Sequence, residues 1–249
     1  LGQSTCLVQL EGVNILTDPV FSRCTINDYI GPKRLRPTPC QLDELQVDLV
    51  IVSHNHFDHL DANVVQQLSN TVTWVVPLGL RDWFARRGVI ELDWWQEHRF
   101  ADYPHLAITA TPLQHWSGRT PFDVNGSLWC GFVVRGAQAS FFHCGDTGYC
   151  AAFKEIGRRL GPVTLATIPI GSYAPRWYMA HQHIDPDDAV QIHQDLNVHL
   201  SVGVHWGTFL MSDEHYLEPP KRLRKALEAR NLASDAFVTL DFGQTRAIA

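Results

Sequence analysis

A run of histidines and aspartates directly after a buried strand is the sequence feature that most restricts the fold of this chain. The apolar run 48–53 is typical of a strand buried on both faces, and it leads into Ser53-His54-Asn55-His56-Phe57-Asp58-His59-Leu60-Asp61. Alternate side chains of an extended segment point the same way, so His54 and His56 can face one cation. The aspartate and histidine that follow stand where the chain turns, and they can reach a second cation. The pattern therefore predicts a metal site.

The types of these side chains favour zinc. Neutral imidazole and carboxylate without thiolate suit Zn²⁺ or another borderline divalent ion, so iron and manganese stay open, whereas Mg²⁺ and Ca²⁺ prefer mostly oxygen ligands. Each ion needs more ligands than the first motif supplies. His115, Asp146 and His205 each follow a later predicted strand, near a glycine or another small residue. A single histidine would more often be structural, but the joint pattern predicts that these three residues complete the site.

Short β-rich runs alternate with helical stretches along all 249 residues, without a low-complexity linker. This pattern predicts an α/β fold, with two sheets packed face to face and helices on both outer sides. We expect one domain, 1–249, whose N-terminus has been trimmed, since the chain opens at Leu1. Strands are predicted at 5–10, 13–17, 48–53, 72–76, 106–111, 128–134, 139–144, 164–169, 200–204 and 236–241, and helices at 62–68, 79–87, 151–160, 186–196 and 219–230.

Composition excludes several classes of protein. The 20 lysine and arginine residues are outnumbered by 26 aspartate and glutamate residues, so the chain lacks the cationic excess of a general nucleic-acid-binding protein. The longest uncharged stretch, 160–175, is interrupted by proline and glycine and is shorter than the ~20 apolar residues of a membrane-spanning helix. Six cysteines at irregular spacing indicate free thiols. We expect a cytoplasmic or peripherally membrane-associated protein without a transmembrane segment.

Together, the H-x-H-x-D-H string, the later histidine, Gly145-Asp146-Thr147-Gly148 and the last histidine resemble the metallo-β-lactamase superfamily. The resemblance implies an αββα four-layer sandwich with a dinuclear metal site at the sheet edges. Further blocks span almost the entire chain and resemble the N-acylphosphatidylethanolamine-hydrolysing phospholipases D. Among these blocks are Leu16-Thr17-Asp18-Pro19, Gly31-Pro32-Lys33-Arg34, Pro175-Arg176-Trp177, Gln182-His183-Ile184-Asp185-Pro186 and His205-Trp206-Gly207-Thr208-Phe209.

The resemblance also implies how the ligands are divided between two zinc ions. The residue types agree with the family at all seven ligand positions. One departure is Gln3, in Gly2-Gln3-Ser4-Thr5, where such proteins commonly have a histidine. By the resemblance, one zinc ion is held by His54, His56 and His115, the other is held by Asp58, His59 and His205, and Asp146 bridges the two.

Such a site favours hydrolysis of a phosphodiester. Two cations about 3.5 to 4 Å apart lower the pKa of a bridging water, so that a metal-bridging hydroxide can attack phosphorus. The catalytic candidates are Asp146, as the bridging ligand, and His183 and Asp58, either of which can give the leaving alkoxide its proton. His183 and Gln182 are also expected to bind the substrate phosphate, although a surface or capping role would equally explain His183.

Asp18 follows a predicted strand and resembles the carboxylate by which the family holds the other N–H of a ligand imidazole. A plain turn aspartate before Pro19 would also fit the sequence. Six further histidines have no comparable support and are expected to be structural or exposed. They are His98, His105, His143, His181, His193 and His199.

The first functional hypothesis is a dinuclear zinc hydrolase of the phospholipase D type that cleaves N-acylphosphatidylethanolamine or a related phospholipid. One alternative keeps the site but hydrolyses a lactone or a small phosphorylated metabolite, and another is a non-catalytic metal or lipid sensor. Trp83-Phe84, Trp94-Trp95 and Trp177-Tyr178-Met179 are candidates for an acyl-chain groove or a peripheral membrane contact, unless they are core residues. Lys33-Arg34-Leu35-Arg36 and Arg176 are candidates for contacts with anionic head groups, unless they are simply solvated.

Overall fold

The computed structural model describes residues 1–68, 71–84 and 88–248, and twelve strands and five α-helices lie within these ranges. The strands are β1 (Leu7–Leu10), β2 (Val13–Thr17), β3 (Leu49–Ile51), β4 (Thr73–Pro77), β5 (Val89–Leu92), β6 (Glu97–Arg99), β7 (Ala107–Pro112), β8 (Cys130–Arg135), β9 (Ser140–His143), β10 (Val163–Pro169), β11 (Val198–Val204) and β12 (Phe237–Val238). The helices are α1 (Ala62–Gln67), α2 (Ala152–Leu160), α3 (Arg176–Met179), α4 (Pro186–Asp195) and α5 (Glu218–Ala229).

The strands form two sheets, with the orders β1-β2-β3-β4-β5 and β12-β11-β10-β9-β8-β7-β6. Buried side chains from both sheets, among them Ile15, Ile51, Phe132 and Phe141, share one core between the sheets. A second core packs α1 on the first sheet around Trp74. A third core packs α2, α4 and α5 on the second sheet. The predicted αββα sandwich is therefore confirmed.

Parallel strands bring several carboxyl ends to one edge of each sheet. Strands β2 to β5 are mutually parallel, so Asp18, after β2, and His54, after β3, stand at the same edge. In the second sheet β9, β10 and β11 are parallel, and β7 has the direction of β9 because both pair antiparallel with β8. His115, Asp146 and His205 follow β7, β9 and β11. The topology thus gathers side chains that are far apart in sequence.

The predicted helix 79–87 is wrong in its described part. That part contains only a 3₁₀ turn, Arg81–Trp83, after which Phe84 is extended, and residues 85–87 lie outside the described residues. Gly79 has a φ of +88°, and a Cβ atom there would lie 2.8 Å from the carbonyl oxygen of Gly126. The chain therefore turns at this glycine, in a conformation that a helix does not use.

Two further expectations concern the membrane and the cysteines. Among the described residues no helix has the length and apolar composition to cross a bilayer, and the longest, α5, has 12 residues. The six cysteines are free. Burial raises the pKa of the Cys130 and Cys144 thiols, so both stay protonated at neutral pH and pack as small apolar side chains.

Candidate metal centre

Three imidazoles converge where β3 and β7 end. Nε2 of His54 lies 2.8 Å from Nδ1 of His56, and Nε2 of His115 lies 3.2 Å from the same Nδ1 atom. His54 and His115 are buried, and His56 is half-buried. These three ring nitrogens form a group that can hold one cation, and we call it the first group.

Two carboxylates and two imidazoles form a second group beside it. Nε2 of His59 lies 3.4 Å from Oδ2 of Asp58 and 3.1 Å from Oδ2 of Asp146. Nε2 of His205 lies 3.1 Å from each of these two oxygens. The groups adjoin, since the ring centroids of His54 and His59 are 4.2 Å apart. The structure thus brings together all seven side chains that the sequence nominates as ligands.

His183 lies against both groups. Its Nδ1 atom is 3.8 Å from Oδ2 of Asp146, and its ring centroid is 5.2 Å from that of His115 and 5.7 Å from that of His205. The neighbouring Gln182 accepts a hydrogen bond of 2.9 Å from Nδ1 of His115 through its backbone carbonyl, while its side-chain amide contacts the sulfur of Met179. His183 therefore belongs to the centre by its side chain, and Gln182 by its main chain.

The donor set fits a pair of transition-metal ions. Imidazoles and carboxylates without thiolate are the ligands expected for zinc, iron or manganese. Oδ2 of Asp146 faces the second group, whereas its Oδ1 atom is buried and has no hydrogen-bond partner in the described part of the chain. A buried carboxylate oxygen without a partner is unfavourable unless a cation or a donor pairs with it. The unpaired oxygen of Asp146 is therefore consistent with a bound cation beside this carboxylate.

Burial keeps the first group uncharged. Burial lowers the pKa of His54 and His115 well below the ordinary imidazole value, and neighbouring imidazoles lower it further. Burial also lowers the pKa of His56, to about 4, although Asp58 acts in the opposite direction. Because the neutral imidazole is the form that binds a metal ion, the first group is ready to bind at neutral pH.

The carboxylates reverse this effect in the second group. Burial alone would lower the pKa of His59 and His205, but Asp146 and Asp58 raise it, and for His205 they raise it to about 9. Burial would raise the pKa of both carboxyl groups, but the two imidazoles hold it well below the usual range. Without metal, these imidazoles therefore keep protons that a metal ion would displace.

Asp18 accepts four hydrogen bonds next to the two groups. Its Oδ2 atom accepts from Nδ1 of His59 at 2.8 Å, from Nε2 of His143 at 2.8 Å and from the Ser53 hydroxyl at 2.7 Å. Its Oδ1 atom accepts from the Ser53 backbone N–H at 2.6 Å. Burial would raise the pKa of Asp18, but His143 and His59 hold it well below the usual range. Asp18 is thus an ionised acceptor that touches His59 on the nitrogen facing away from Asp146.

The contact of His143 with Asp18 is one that the sequence does not reveal. His143 is fully buried, and its Nδ1 atom lies 2.9 Å from the hydroxyl of Thr167. When the ring is neutral, Nε2 donates to Asp18 and Nδ1 accepts from that hydroxyl. Only the position of His143 in the sequence could have indicated this contact. His143 ends β9 three residues before Asp146, at the edge where the nominated side chains meet.

Arg119 holds the loop that carries the first four nominated ligands. Its Nη1 atom donates to the backbone carbonyls of Asn55 at 3.0 Å and of Leu60 at 2.7 Å. Its guanidinium carbon lies 4.1 Å from the ring centre of Phe57 and 5.3 Å from that of Trp83. Residues at both ends of the loop are therefore tied to one side chain.

Two of the cations nominated for anionic head groups instead make contacts within the protein. The buried Arg34 donates to the backbone carbonyls of Val20 and Ser22. Arg176 donates to the carbonyl oxygen of His183 at 2.6 Å and to Asp188 at 2.8 Å. Arg34 stabilises the segment after β2, and Arg176 stabilises the turn that carries His183.

The nominated aromatic residues divide into core and surface. Trp94 and Trp95 are partly buried and pack against the cores. Trp177 and Tyr178, on α3, are 86% and 61% exposed. Helix α3 leads directly into the centre, because the carbonyl of Met179 accepts a hydrogen bond from the backbone N–H of His183. The exposed pair therefore lies on the short element that precedes His183.

Comparison with known proteins identifies the family. The sequence pattern of the Beta-lactamase superfamily domain matches residues 13–206. The chain is 43% identical over 261 residues to N-acyl-phosphatidylethanolamine-hydrolyzing phospholipase D 1 of Caenorhabditis elegans. This alignment covers 98% of the chain and 73% of the nematode protein. The chain belongs to the beta-lactamase superfamily. Within this superfamily, the expected resemblance to the phospholipases D is confirmed.

Two further proteins are similar to the chain over most of its length. The mitochondrial N-acyl-phosphatidylethanolamine-hydrolyzing phospholipase D of Saccharomyces cerevisiae is 40% identical over 238 residues, which cover 92% of the chain and 51% of the yeast protein. The chain therefore spans about half the length of this relative. The structure of Igni18, a metallo hydrolase from Ignicoccus hospitalis, matches with a TM-score of 0.71 and 22% identity, covering 98% of this chain and 94% of Igni18. That likeness confirms the fold, and the relatives confirm the expectation of a hydrolase.

Proposed function

We propose that this chain is a dinuclear zinc phosphodiesterase of the phospholipase D type. Its proposed substrate is N-acylphosphatidylethanolamine or a related phospholipid, which it would cleave to phosphatidate and an N-acylethanolamine. The observation that carries the proposal is the convergence of seven ligand-type side chains in two adjoining groups. The substrate rests on the names of relatives that are 40% and 43% identical.

The two groups define how the metal ions would be held. Zinc fits the donor set best, and iron and manganese fit it as well. When bound, the ions would activate a water molecule and neutralise the charge of the phosphodiester. The first ion would be held by His54, His56 and His115, the second by Asp58, His59 and His205, and Asp146 would be shared by the two.

His183 is the better of the two proposed proton donors for the leaving group. The imidazoles beside Asp58 hold its pKa far below the usual range, so it is ionised at neutral pH and has no proton to donate. Burial lowers the pKa of His183, partly offset by Asp146, so His183 is neutral and carries one N–H at pH 7. That N–H can bind a phosphate oxygen or protonate the departing alkoxide. The bond from its backbone N–H to Met179 and the bond from Arg176 to its carbonyl hold His183 in place.

A lipid substrate is supported by apolar surface near the centre. The surface beside His205 carries Phe209, Leu210 and Met211, together with the polar Ser212 and Glu214. Leu210 is exposed, as are Trp177 and Tyr178. We propose that the exposed leucine, tryptophan and tyrosine make a peripheral contact with the membrane that presents the lipid, because aromatic side chains prefer to lie at its surface.

A hydrolysis panel tests the proposal. We expect the zinc-loaded protein to hydrolyse N-acylphosphatidylethanolamine in vesicles and an aryl phosphodiester in solution, and to leave a lactone intact. Turnover of the lactone alone would establish the alternative of a lactonase. Hydrolysis of only small phosphorylated metabolites would point to that alternative, and bound metal without any turnover would point to a sensor.

Two substitutions link turnover to the metal groups. Asp146→Asn and His54→Ala should each lower turnover at least a thousandfold and lower the zinc content of the purified protein, because they remove a shared and an unshared ligand. His199→Ala, at an exposed position of β11, is the matched control and should retain both. Unchanged turnover in Asp146→Asn and His54→Ala would exclude a metal-dependent reaction.

A further inference from the structure

Ser53 connects the first group to the carboxylate that serves the second. Its hydroxyl oxygen lies 2.9 Å from Nδ1 of His54 and 2.7 Å from Oδ2 of Asp18. The same Oδ2 atom lies 2.8 Å from Nδ1 of His59. One imidazole from each group is therefore tied to a single carboxylate oxygen, His59 directly and His54 through the serine.

The direction of these hydrogen bonds follows from their chemistry. An ionised carboxylate only accepts, so the Ser53 hydroxyl and Nδ1 of His59 both donate to Asp18. The hydroxyl has a single proton, which it has given to Asp18, so it accepts from the Nδ1–H of His54. When both rings are neutral, each Nε2 atom then carries a lone pair, directed in His54 toward His56 and in His59 toward Asp146.

We propose that Ser53 is a positioning residue that acts on one metal ion of the two. Its hydroxyl fixes the tautomer and the ring orientation of His54 and hence the affinity of the first group alone. The inference rests on the dinuclear site of the proposed function and adds that the two ions depend on different contacts of one carboxylate. A hydrogen bond of this kind to a ligand imidazole typically changes metal affinity about 10- to 100-fold.

The packing around Ser53 explains why the effect should be selective. Ser53 is fully buried, and a Cβ atom built at Gly145 would lie 2.5 Å from the Cβ atom of Ser53. A side chain larger than serine therefore has no space at position 53. Removing the hydroxyl leaves Asp18 three of its donors, namely His59, His143 and the Ser53 backbone N–H. The second group therefore keeps its support, while His54 loses its acceptor.

The experiment measures the zinc content and the zinc affinity of the whole protein. Ser53→Ala is compared with the wild type and with Thr167→Val, which removes a buried hydroxyl from the other side of Asp18, where it bonds His143. Dialysis against zinc buffers gives the two affinities, and thermal unfolding confirms that each variant folds. His115→Ala and His205→Ala serve as references, because they remove a ligand from the first and the second group respectively.

We expect Ser53→Ala to bind the second ion as the wild type does and to bind the first ion about 10- to 100-fold more weakly. His115→Ala should weaken binding of the first ion to a larger extent. Thr167→Val should bind both as the wild type does. Equal weakening at both sites, no weakening in Ser53→Ala, or the same loss in Thr167→Val would overturn the inference. Should Ser53→Ala fail to fold, Asp18→Asn decides the matter: it should weaken both sites, and a loss at only one would overturn the shared carboxylate. A wild-type protein that binds no metal would instead overturn the proposed function.

Discussion

The side-chain amide of Gln3 donates a hydrogen bond of 2.7 Å to Oδ2 of Asp58. The same oxygen lies 3.1 Å from Nε2 of His205, whose backbone N–H donates to the carbonyl of Gln3. Gln3 is buried and has a φ of +52°, a left-handed backbone conformation that residues other than glycine adopt uncommonly. The residue that departs from the usual histidine therefore contacts a proposed metal ligand.

This contact predicts a graded response to substitution at position 3. Gln3→His should retain activity within about threefold, because an imidazole N–H can replace the amide donor. Gln3→Leu should lower kcat/KM about 10- to 100-fold, since a hydrogen bond to a charged group contributes about 1.5–3 kcal/mol. Gln3→Glu, of the same size, should be the most damaging because it places a second carboxylate beside Asp58. Equal activity of the Leu and Glu variants would show that the bond does not orient Asp58.

A second prediction concerns Arg119. Arg119→Ala removes both hydrogen bonds to the loop carbonyls and the stacking on Phe57, which should lower the free energy of unfolding by about 2–4 kcal/mol. The loop would then hold the first four ligands less firmly, so zinc affinity should fall as well. Arg119→Lys keeps the positive charge but loses the planar guanidinium group with its several N–H donors. It should therefore recover only part of the stability that Arg119→Ala loses. Chemical denaturation with and without zinc provides the measurement.

Zinc removal supplies the control for Arg119. If the arginine stabilises only the fold, its loss would lower stability equally in the metal-free and the zinc-loaded protein. If it preorganises the ligands, the substitution should lower the free energy of unfolding more in the zinc-loaded protein, because zinc that binds more weakly stabilises the fold less. An equal loss in both states would contradict preorganisation.

The sequence predicts the convergence of the seven nominated side chains because these residues carry their own signal. His54 and His56 alternate on an extended segment, and His115, Asp146 and His205 each follow a predicted strand, so topology alone brings them together. The sandwich follows from the order of strands and helices. Both predictions use patterns within short stretches of the sequence, such as the alternation of side chains along a strand.

The parts that the sequence does not predict depend on distant contacts. His143 donates to Asp18 across 125 positions, and Arg119 bonds Asn55 across 64, so neither has a local pattern. The predicted α-helix 79–87 is absent from its described part, where Gly79 turns the chain and packs against Gly126, far along the sequence. Gln182, which the sequence predicts to bind the substrate phosphate, contacts His115 through its backbone carbonyl, and the sequence does not reveal this contact. Main-chain contacts leave no mark on residue type.

A third prediction follows from the charges of the second group. In the metal-free protein the pKa of His205 is raised to about 9 and that of His59 lies well above its ordinary value, so both are protonated at pH 7. A metal ion binds the neutral ring, so binding to this group should release protons. Its affinity should therefore rise as the pH increases from 7 through the pKa of His205 at about 9, and level off only once both imidazoles have lost these protons. The first group is already neutral and should show no such rise.

Calorimetry in buffers of different ionisation heat measures the released protons directly. We expect at least one proton per second-group ion at pH 7 and none for the first-group ion. His205→Ala should abolish part of this release, whereas His115→Ala should leave it unchanged. Release of no protons from the wild type would contradict the paired imidazoles and carboxylates of the second group.

The last prediction concerns the exposed aromatic side chains of α3. Trp177→Ala combined with Tyr178→Ala should weaken binding to phospholipid vesicles about tenfold or more, because each buried aromatic side chain contributes on the order of 1–3 kcal/mol. Cosedimentation with vesicles gives the binding, and hydrolysis of a soluble aryl phosphodiester gives the state of the centre. Both side chains are largely exposed, so the fold and the soluble reaction should be unaffected, and only turnover of the vesicle lipid should fall. If vesicle binding persisted, or if both reactions declined together, helix α3 would serve the turn that carries His183 and not the membrane.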